Sequence, residues 1–279
     1  MKLYQGMGPN SYRVRIFMAE KGISLPMVDV DFAKGEHKAQ EFLAVNSLGQ
    51  IPVLELDDGT VITESVAICR YLEETTREPQ LFGHDAVSRA KVEMWNRRAE
   101  LVILGTVGNV ALHSDAFFAE RLTQFPAFAE TERAAVPQKW GWLDDELSDG
   151  RPFLAGDEFS IADITAGVTA WLCEVFGMEI PASAKNVQRW LERVRSRPSL
   201  RPKGQPVAGA VSRSLRVARS APHAACRPPS PRCRGEKVGR GGRSFLRPMW
   251  QPRCPSAGLD LGAGRRPRSL SLQAGRGSG

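Results

Sequence analysis

GEHKAQEFLAVNSLGQIPVLELDDGTVITESVAICRYLEE, residues 35–74, decides how this chain of 279 residues folds. His37 and Lys38 stand in a loop before a short apolar helix, EFLAV, which gives way to Asn46-Ser47-Leu48-Gly49-Gln50, a turn by its small and polar residues. Ile51-Pro52-Val53-Leu54, Asp57-Asp58-Gly59 and Val61-Ile62-Thr63 read as strand, tight turn and strand, because Asp-Gly between apolar β-branched runs signals a hairpin. Glu64-Ser65 then precedes Val66–Leu72, whose apolar spacing is that of a half-buried helix. Ser65 therefore opens a helix whose first amides can bind a carboxylate, unless Glu64-Ser65 is an ordinary helix cap. Pro52 lacks the N–H that a sheet ladder needs, so it marks where the sheet stops pairing with itself. A cis Ile51-Pro52 bond would turn the Ile51 backbone toward a ligand able to pair with it like an added strand.

Toward the N-terminus, Lys2-Leu3-Tyr4 is a strand, Gly6 to Ser11 a turn, and Tyr12 to Lys21 a helix closed by Gly22. Met27 to Asp31 alternates as a second strand, which gives the βαβ start of a thioredoxin-like α/β domain. The turn before the first helix reads Gly8-Pro9-Asn10-Ser11, without the Cys-x-x-Cys of dithiol exchange. That chemistry is excluded.

The run GEHKAQEFLAVNSLGQIP resembles the glutathione-binding half of the glutathione S-transferases, in a phi-like pattern, and the resemblance extends from Met1 to about residue 202. It implies glutathione as co-substrate and no metal. It also implies a residue before a cis-proline, here Ile51, that pairs through its backbone with the cysteinyl unit. Glu64 would meet the γ-glutamyl ammonium and Ser65 its α-carboxylate, while His37, Lys38 and Gln50 match positions near the glycine carboxylate and the tripeptide backbone. Cations facing an anion and helix-end amides facing a carboxylate suit each role.

The group that activates the thiol lies outside this run. Aligning Arg13-Val14-Arg15-Ile16 with the family's first helix puts Gly8 where the phi-like serine would stand, and Tyr4 lies on the strand before the turn. Two routes are open. Ser11 and Asn10, with the helix N-terminus, can lower the thiol pKa, although Ser11 can equally serve as a helix cap. Alternatively, PNSYRVRIFMAEKGI resembles the yeast-type and bacterial transferases that lack a catalytic Tyr, Ser or Cys in this turn. These hold a water with a helical-domain histidine and serine, positions that fall on His113 and Ser114. His113 can instead satisfy the last carbonyls of its helix.

Beyond Glu78–Ala86, read as a linker, the pattern is helical: Ala90 to about Ala111 with a bend at Gly105–Gly108, Thr131 to Leu147, and Asn186 to Arg195, which ends before Pro198. Ser160-x-x-Asp163 is a capping arrangement for a further helix, so Asp163 is read as a folding residue rather than a general base. Met7, Phe117, Phe118, Trp171 and the 105–114 segment are candidate walls for an apolar electrophile, or simply core.

Residues 1–202 hold 22 Lys+Arg and 29 Asp+Glu, net −7, whereas 203–279 hold 16 and 2, net +14, with 12 Gly, 9 Pro and 9 Ser. The overall +7 therefore belongs to a tail with too little apolar content to fold alone. The tail reads as a basic arm for phosphates or nucleic acid, an inert extension, or a frameshift or readthrough product, its 14 Arg against 2 Lys suiting the last. Cys226, Cys233, Cys254 and His223 lack zinc-site spacing. Cys69 and Cys173 sit in apolar helical contexts that suit a reducing compartment. With no signal-like segment and no membrane-length apolar run, the expected setting is cytoplasmic.

The expected architecture is a thioredoxin-like α/β domain (residues 1–77), a linker (78–87), an all-helical domain (88–202) and a disordered basic tail (203–279). The resemblance implies a homodimer that conjugates glutathione to a small hydrophobic electrophile. The alternative is a non-catalytic protein of the same fold acting through protein contacts.

Overall fold

The computed structural model describes residues 1–32, 34–119 and 121–200; the readings of the 203–279 tail, including its cysteines and His223, lie outside the described residues. Strands β1 (Lys2–Gln5), β2 (Met27–Asp29), β3 (Val53–Glu55) and β4 (Val61–Thr63) form one sheet in the order β2-β1-β3-β4. β1 runs parallel to β2 and antiparallel to β3, which runs antiparallel to β4. This is the mixed sheet of a thioredoxin-like domain. The register decides what the sheet can present: Tyr4 pairs with Val53, and Val53 with Thr63, while Gln5 lies beside Asp29. The chain leaving β1, the loop leaving β2, the corner entering β3 and the helix leaving β4 therefore all lie at one end of the sheet.

Helix α1 spans Pro9–Glu20, three residues earlier at its start than the sequence pattern suggests. Pro9 takes the first helical position, where its missing N–H costs nothing, and Gly8 caps the helix at φ 134°, a conformation that few other residues adopt. Ser11 is therefore inside the first turn, and the reading of it as a cap is corrected. At the other end Ile23 N–H reaches Met18 O (2.8 Å) and Gly22 N–H reaches Ala19 O (3.3 Å), the paired closure that a glycine there permits. Helix α2 covers Gln40–Val45, and helix α3 covers Ser65–Thr75. Pro52 stands just before β3 rather than inside the strand, and the Ile51-Pro52 bond is cis.

The helical half comprises α4 (Ala86–Arg98), α5 (Gly105–Ser114), α6 (Ala116–Ala119), α7 (Pro126–Glu146), α8 (Ile161–Val175) and α9 (Lys185–Ser196). Between α4 and α5 the helix widens into a π-helical stretch, Ala99–Leu104, just ahead of the glycines where a bend is expected. α7 begins at Pro126, ahead of the expected Thr131, and carries Pro137 inside it. α8 starts with the expected capping box. Asp163 does more than cap: it accepts from Ser160 N–H (3.0 Å) and Oγ (2.9 Å), Leu154 N–H (2.9 Å) and Trp190 Nε1 (2.8 Å). Burial pushes its carboxyl above the usual range, and these donors oppose the rise.

One continuous core joins both halves, from Leu3, Phe17 and Ile68 to Trp95, Trp140 and Trp190. Two polar ties reinforce it. Lys21, buried just past the end of α1, donates to Thr76 O (2.6 Å) and Arg77 O (2.9 Å) and meets Glu73 Oε2 at 2.5 Å, while Glu73 Oε1 accepts from Leu81 and Phe82 N–H. Past α9, residues 197–200 return to α1: Arg197 grips Glu20 (2.6 and 2.9 Å) and Tyr12 O–H donates to Leu200 O (3.3 Å).

Candidate functional site

The corner that enters β3 is built by Asn46, whose side-chain amide donates to Gln50 O (2.8 Å) and whose Oδ1 accepts from Leu48 N–H (3.2 Å). Gly49 has φ 61°, and a Cβ there would meet His37 O at 2.6 Å and Lys38 Nζ at 3.2 Å. Only a glycine lets the Asn46–Gln50 turn close against the His37-Lys38 loop. Lys38 and Gln50 are exposed, whereas His37 is buried, its imidazole stacked on Phe32 at 4.0 Å. Burial lowers the His37 pKa, with Lys38 and Arg121 adding to the effect, so the charged ring is disfavoured. Its Nδ1 has no partner among the described residues. None of the described residues bonds to the Ile51 N–H or C=O either, so this strand-like backbone is open to a ligand.

At α3, Glu64 occupies the N-cap at φ 65°, a conformation costing about 1–3 kcal/mol for a non-glycine residue, and makes no side-chain cap bond. It is thus not an ordinary cap, and the first amides of α3 stay unengaged by it. Behind them lies a residue that sequence reasoning missed. Arg13, 1% exposed, donates from Nη1 to Ser65 Oγ at 2.7 Å and reaches Glu100 Oε1 at 3.2 Å and Asn10 Oδ1 at 3.4 Å. Its Nε and Nη2 find no partner among the described residues. Burial pulls its pKa below the usual arginine value while Glu100 resists, and it stays charged. Because Ser65 Oγ accepts from Arg13, its own proton is free to donate. A carboxylate at the start of α3 would meet that hydroxyl, backbone amides and a buried positive charge.

The start of α1 offers two side chains of different standing. Ser11 is buried and its Oγ accepts, at 3.4 Å, the Gly6 N–H. Asn10 is exposed, and with Oδ1 turned to Arg13 its amide N–H₂ faces away from the guanidinium. Pro9 has no N–H, so the helix offers its first donors at Asn10 and Ser11.

His113 and Ser114 sit at the end of α5. His113 Nδ1 accepts the Phe125 N–H (3.3 Å) at the start of α7, between the Phe125 and Phe128 rings, so it does not cap its own helix's carbonyls with that nitrogen. Ser114 Oγ donates to Val110 O at 2.6 Å and lies 3.4 Å from Arg133 Nη2. Of the candidate walls, Met7 and Phe117 are exposed and Trp171 packs edge-on against Tyr12. Among the described residues there is no cluster of ligands for a metal ion, and no helix is long and apolar enough to cross a membrane.

Residues 1–74 match the family model described as the N-terminal domain of glutathione S-transferase, and residues 115–193 match that of its C-terminal domain. Glutathione S-transferase 2 of Saccharomyces cerevisiae is 35% identical over 198 residues, which cover 70% of this chain and 84% of that protein. The crystal structure of Gtt2 from the same yeast superposes with a TM-score of 0.67 at 35% identity, covering 72% of this chain and 98% of that one. A glutathione S-transferase domain-containing protein from Marinobacter aquaeolei superposes at 0.68 and 36%, covering 72% and 100%. Four loops and helix ends at one edge of a mixed sheet, and relatives spanning both halves, lead to the same conclusion: this chain belongs to the glutathione S-transferase family.

Proposed function

We propose that the chain is a glutathione transferase that lays glutathione along the open edge at Ile51 and Pro52, lowers its thiol pKa and presents the thiolate to a small hydrophobic electrophile, a detoxifying reaction. The observation that carries the reading is the uncapped start of α3, with Ser65 backed by the buried Arg13 cation. Glu64 takes the γ-glutamyl ammonium, Ser65 and the α3 amides the α-carboxylate, and His37, Lys38 and Gln50 the glycine end. A non-catalytic scaffold has no use for such a carboxylate seat.

For the thiol, exposure favours Asn10 and the α1 amides, with Ser11 supporting from behind. Donors aimed at a developing thiolate stabilise it over the thiol and lower its pKa from the ordinary value of about 8.5. The second route, a water held by His113 and Ser114, uses the His113 edge that Phe125 leaves open.

In this reading residues 78–87 divide the two domains, and the protein works as a homodimer in the cytoplasm. Val87, Met94 and Leu101, exposed at seven-residue spacing, supply an apolar strip for the second copy. The buried free thiols of Cys69 and Cys173, both pushed up by burial, Cys173 to about 12, suit a reducing setting.

Ultraviolet titration of bound glutathione thiol tests the proposal in the wild type and in Asn10→Ala, Ser11→Ala and His113→Ala. A thiol pKa lowered by at least about one unit is expected, and an unshifted value in the wild type refutes the enzymatic reading. Loss of the shift in Asn10→Ala alone selects the α1 route, and loss in His113→Ala alone selects the water.

A further inference from the structure

In the connection between α5 and α7, Arg121 reaches across to the N-terminal half. Arg121 Nη2 donates to Phe32 O at 3.1 Å, Nη1 donates to Phe117 O, and the guanidinium lies 3.7 Å above the Phe117 ring. The arm is held from behind. Buried Asp115 accepts the Phe117 N–H (2.8 Å), Gln124 Nε2 donates to Leu112 O and Asp115 O (2.8 Å each), and His113 Nδ1 holds the Phe125 N–H.

What Arg121 grips is the foot of the loop that presents His37 and Lys38. Phe32 O also accepts the Gly35 N–H (3.1 Å), and the Phe32 ring carries the His37 imidazole. Glu36 Oε2 accepts Asp31 N–H at 2.7 Å, and Glu36 N–H returns to Asp31 O at 3.1 Å, which ties the start of the loop to its His37-Lys38 end. Gly49 leaves that loop no slack against the Gln50 corner. We propose that Arg121 is a positioning residue for glutathione binding: it clasps the loop through Phe32 so that His37 and Lys38 stand ready for the glycine carboxylate of the tripeptide. This rests on the glutathione-binding reading above.

A clasp of this kind acts on one end of the ligand only. Glutathione and γ-glutamylcysteine, which lacks the glycine, separate it from a general effect on folding. The measurement is calorimetric affinity for both ligands in the wild type, Arg121→Ala and Arg121→Lys. In Arg121→Ala the Kd for glutathione is expected to rise about tenfold while that for γ-glutamylcysteine changes less than about twofold. Arg121→Lys does not restore binding, because an ammonium cannot lie flat on Phe117 while donating to two carbonyls. Equal weakening for both ligands, or no weakening for glutathione, overturns the clasp. A wild type that binds neither ligand refutes instead the reading on which it rests.

Discussion

Replacing Arg13 by methionine separates holding the fold from holding the ligand. The substitution keeps most of the side-chain volume and removes the charge. Two contacts are short enough to matter, Ser65 Oγ at 2.7 Å and Glu100 Oε1 at 3.2 Å; the Asn10 contact at 3.4 Å counts for little. Breaking a buried ion pair ordinarily costs about 3–5 kcal/mol. Here Glu100 is partly exposed and keeps Arg97 at 2.6 Å, so its charge is not stranded. The variant also removes the unpartnered Nε and Nη2, which offsets about 1–3 kcal/mol for each group. The net change in stability should centre near zero and stay within about 3 kcal/mol. Binding should suffer more. A carboxylate at Ser65 loses the cation behind it and the bond that orients the hydroxyl, a charge-assisted contribution of about 1.5–3 kcal/mol, or about 10–150-fold in Kd. Urea unfolding followed by tryptophan fluorescence and calorimetric titration with glutathione measure the two quantities. An unfolding loss above about 4 kcal/mol with Kd unchanged would show that Arg13 serves only as a strut in the core and would refute the reasoning.

Two further predictions concern the ties between elements. Lys21→Met strands the Glu73 carboxylate and should cost about 3–5 kcal/mol, whereas Lys21→Met with Glu73→Leu should recover most of that in the same urea assay, less the unpaired Leu81 and Phe82 amides. For Glu20, burial pushes the carboxyl up, but Arg197 and Ser199 outweigh it and hold the pKa low; the stability it contributes is full above about pH 4.5 and lost as pH falls through the lowered value, so Glu20→Gln should flatten the acid limb of a thermal-denaturation pH series.

The proline corner, though not its cis bond, the hairpin and the start of α3 were legible because each depends on neighbours within a few residues. Asp57-Asp58-Gly59 can only turn, and Glu64-Ser65 can only introduce the apolar run that follows. The start of α1 was misplaced: the preference of proline for the first helical position pointed to Pro9, a signal that the apolar periodicity from Tyr12 onward masked. Arg13 was not. Its partner Glu100 is 87 residues away, and in Arg13-Val14-Arg15 the two cations look alike. One trace was present: Arg13 stands four residues before Phe17, on the face that α1 buries. The π-helical stretch at Ala99–Leu104 left no such trace. An extra residue per turn does not alter composition, and the two glycines beyond it drew the expected bend to themselves. Burial of His37 was also beyond reach, since the stacking of Phe32 depends on how the loop after β2 closes.

The return of residues 197–200 to α1 sets a condition on how the protein is made. Helix α1 leaves the ribosome well before the helical half, yet Glu20 meets Arg197 at a sequence separation of 177 and Tyr12 meets Leu200 at one of 188. Contacts of such sequence separation form late, because the loop they close must first be brought together. The nascent α/β half therefore waits, with one side of its first helix unsealed, until almost all of the helical half has been synthesised. A ribosome that stalls before Arg197 leaves Glu20 without its counter-charge and offers that surface to chaperones and proteases.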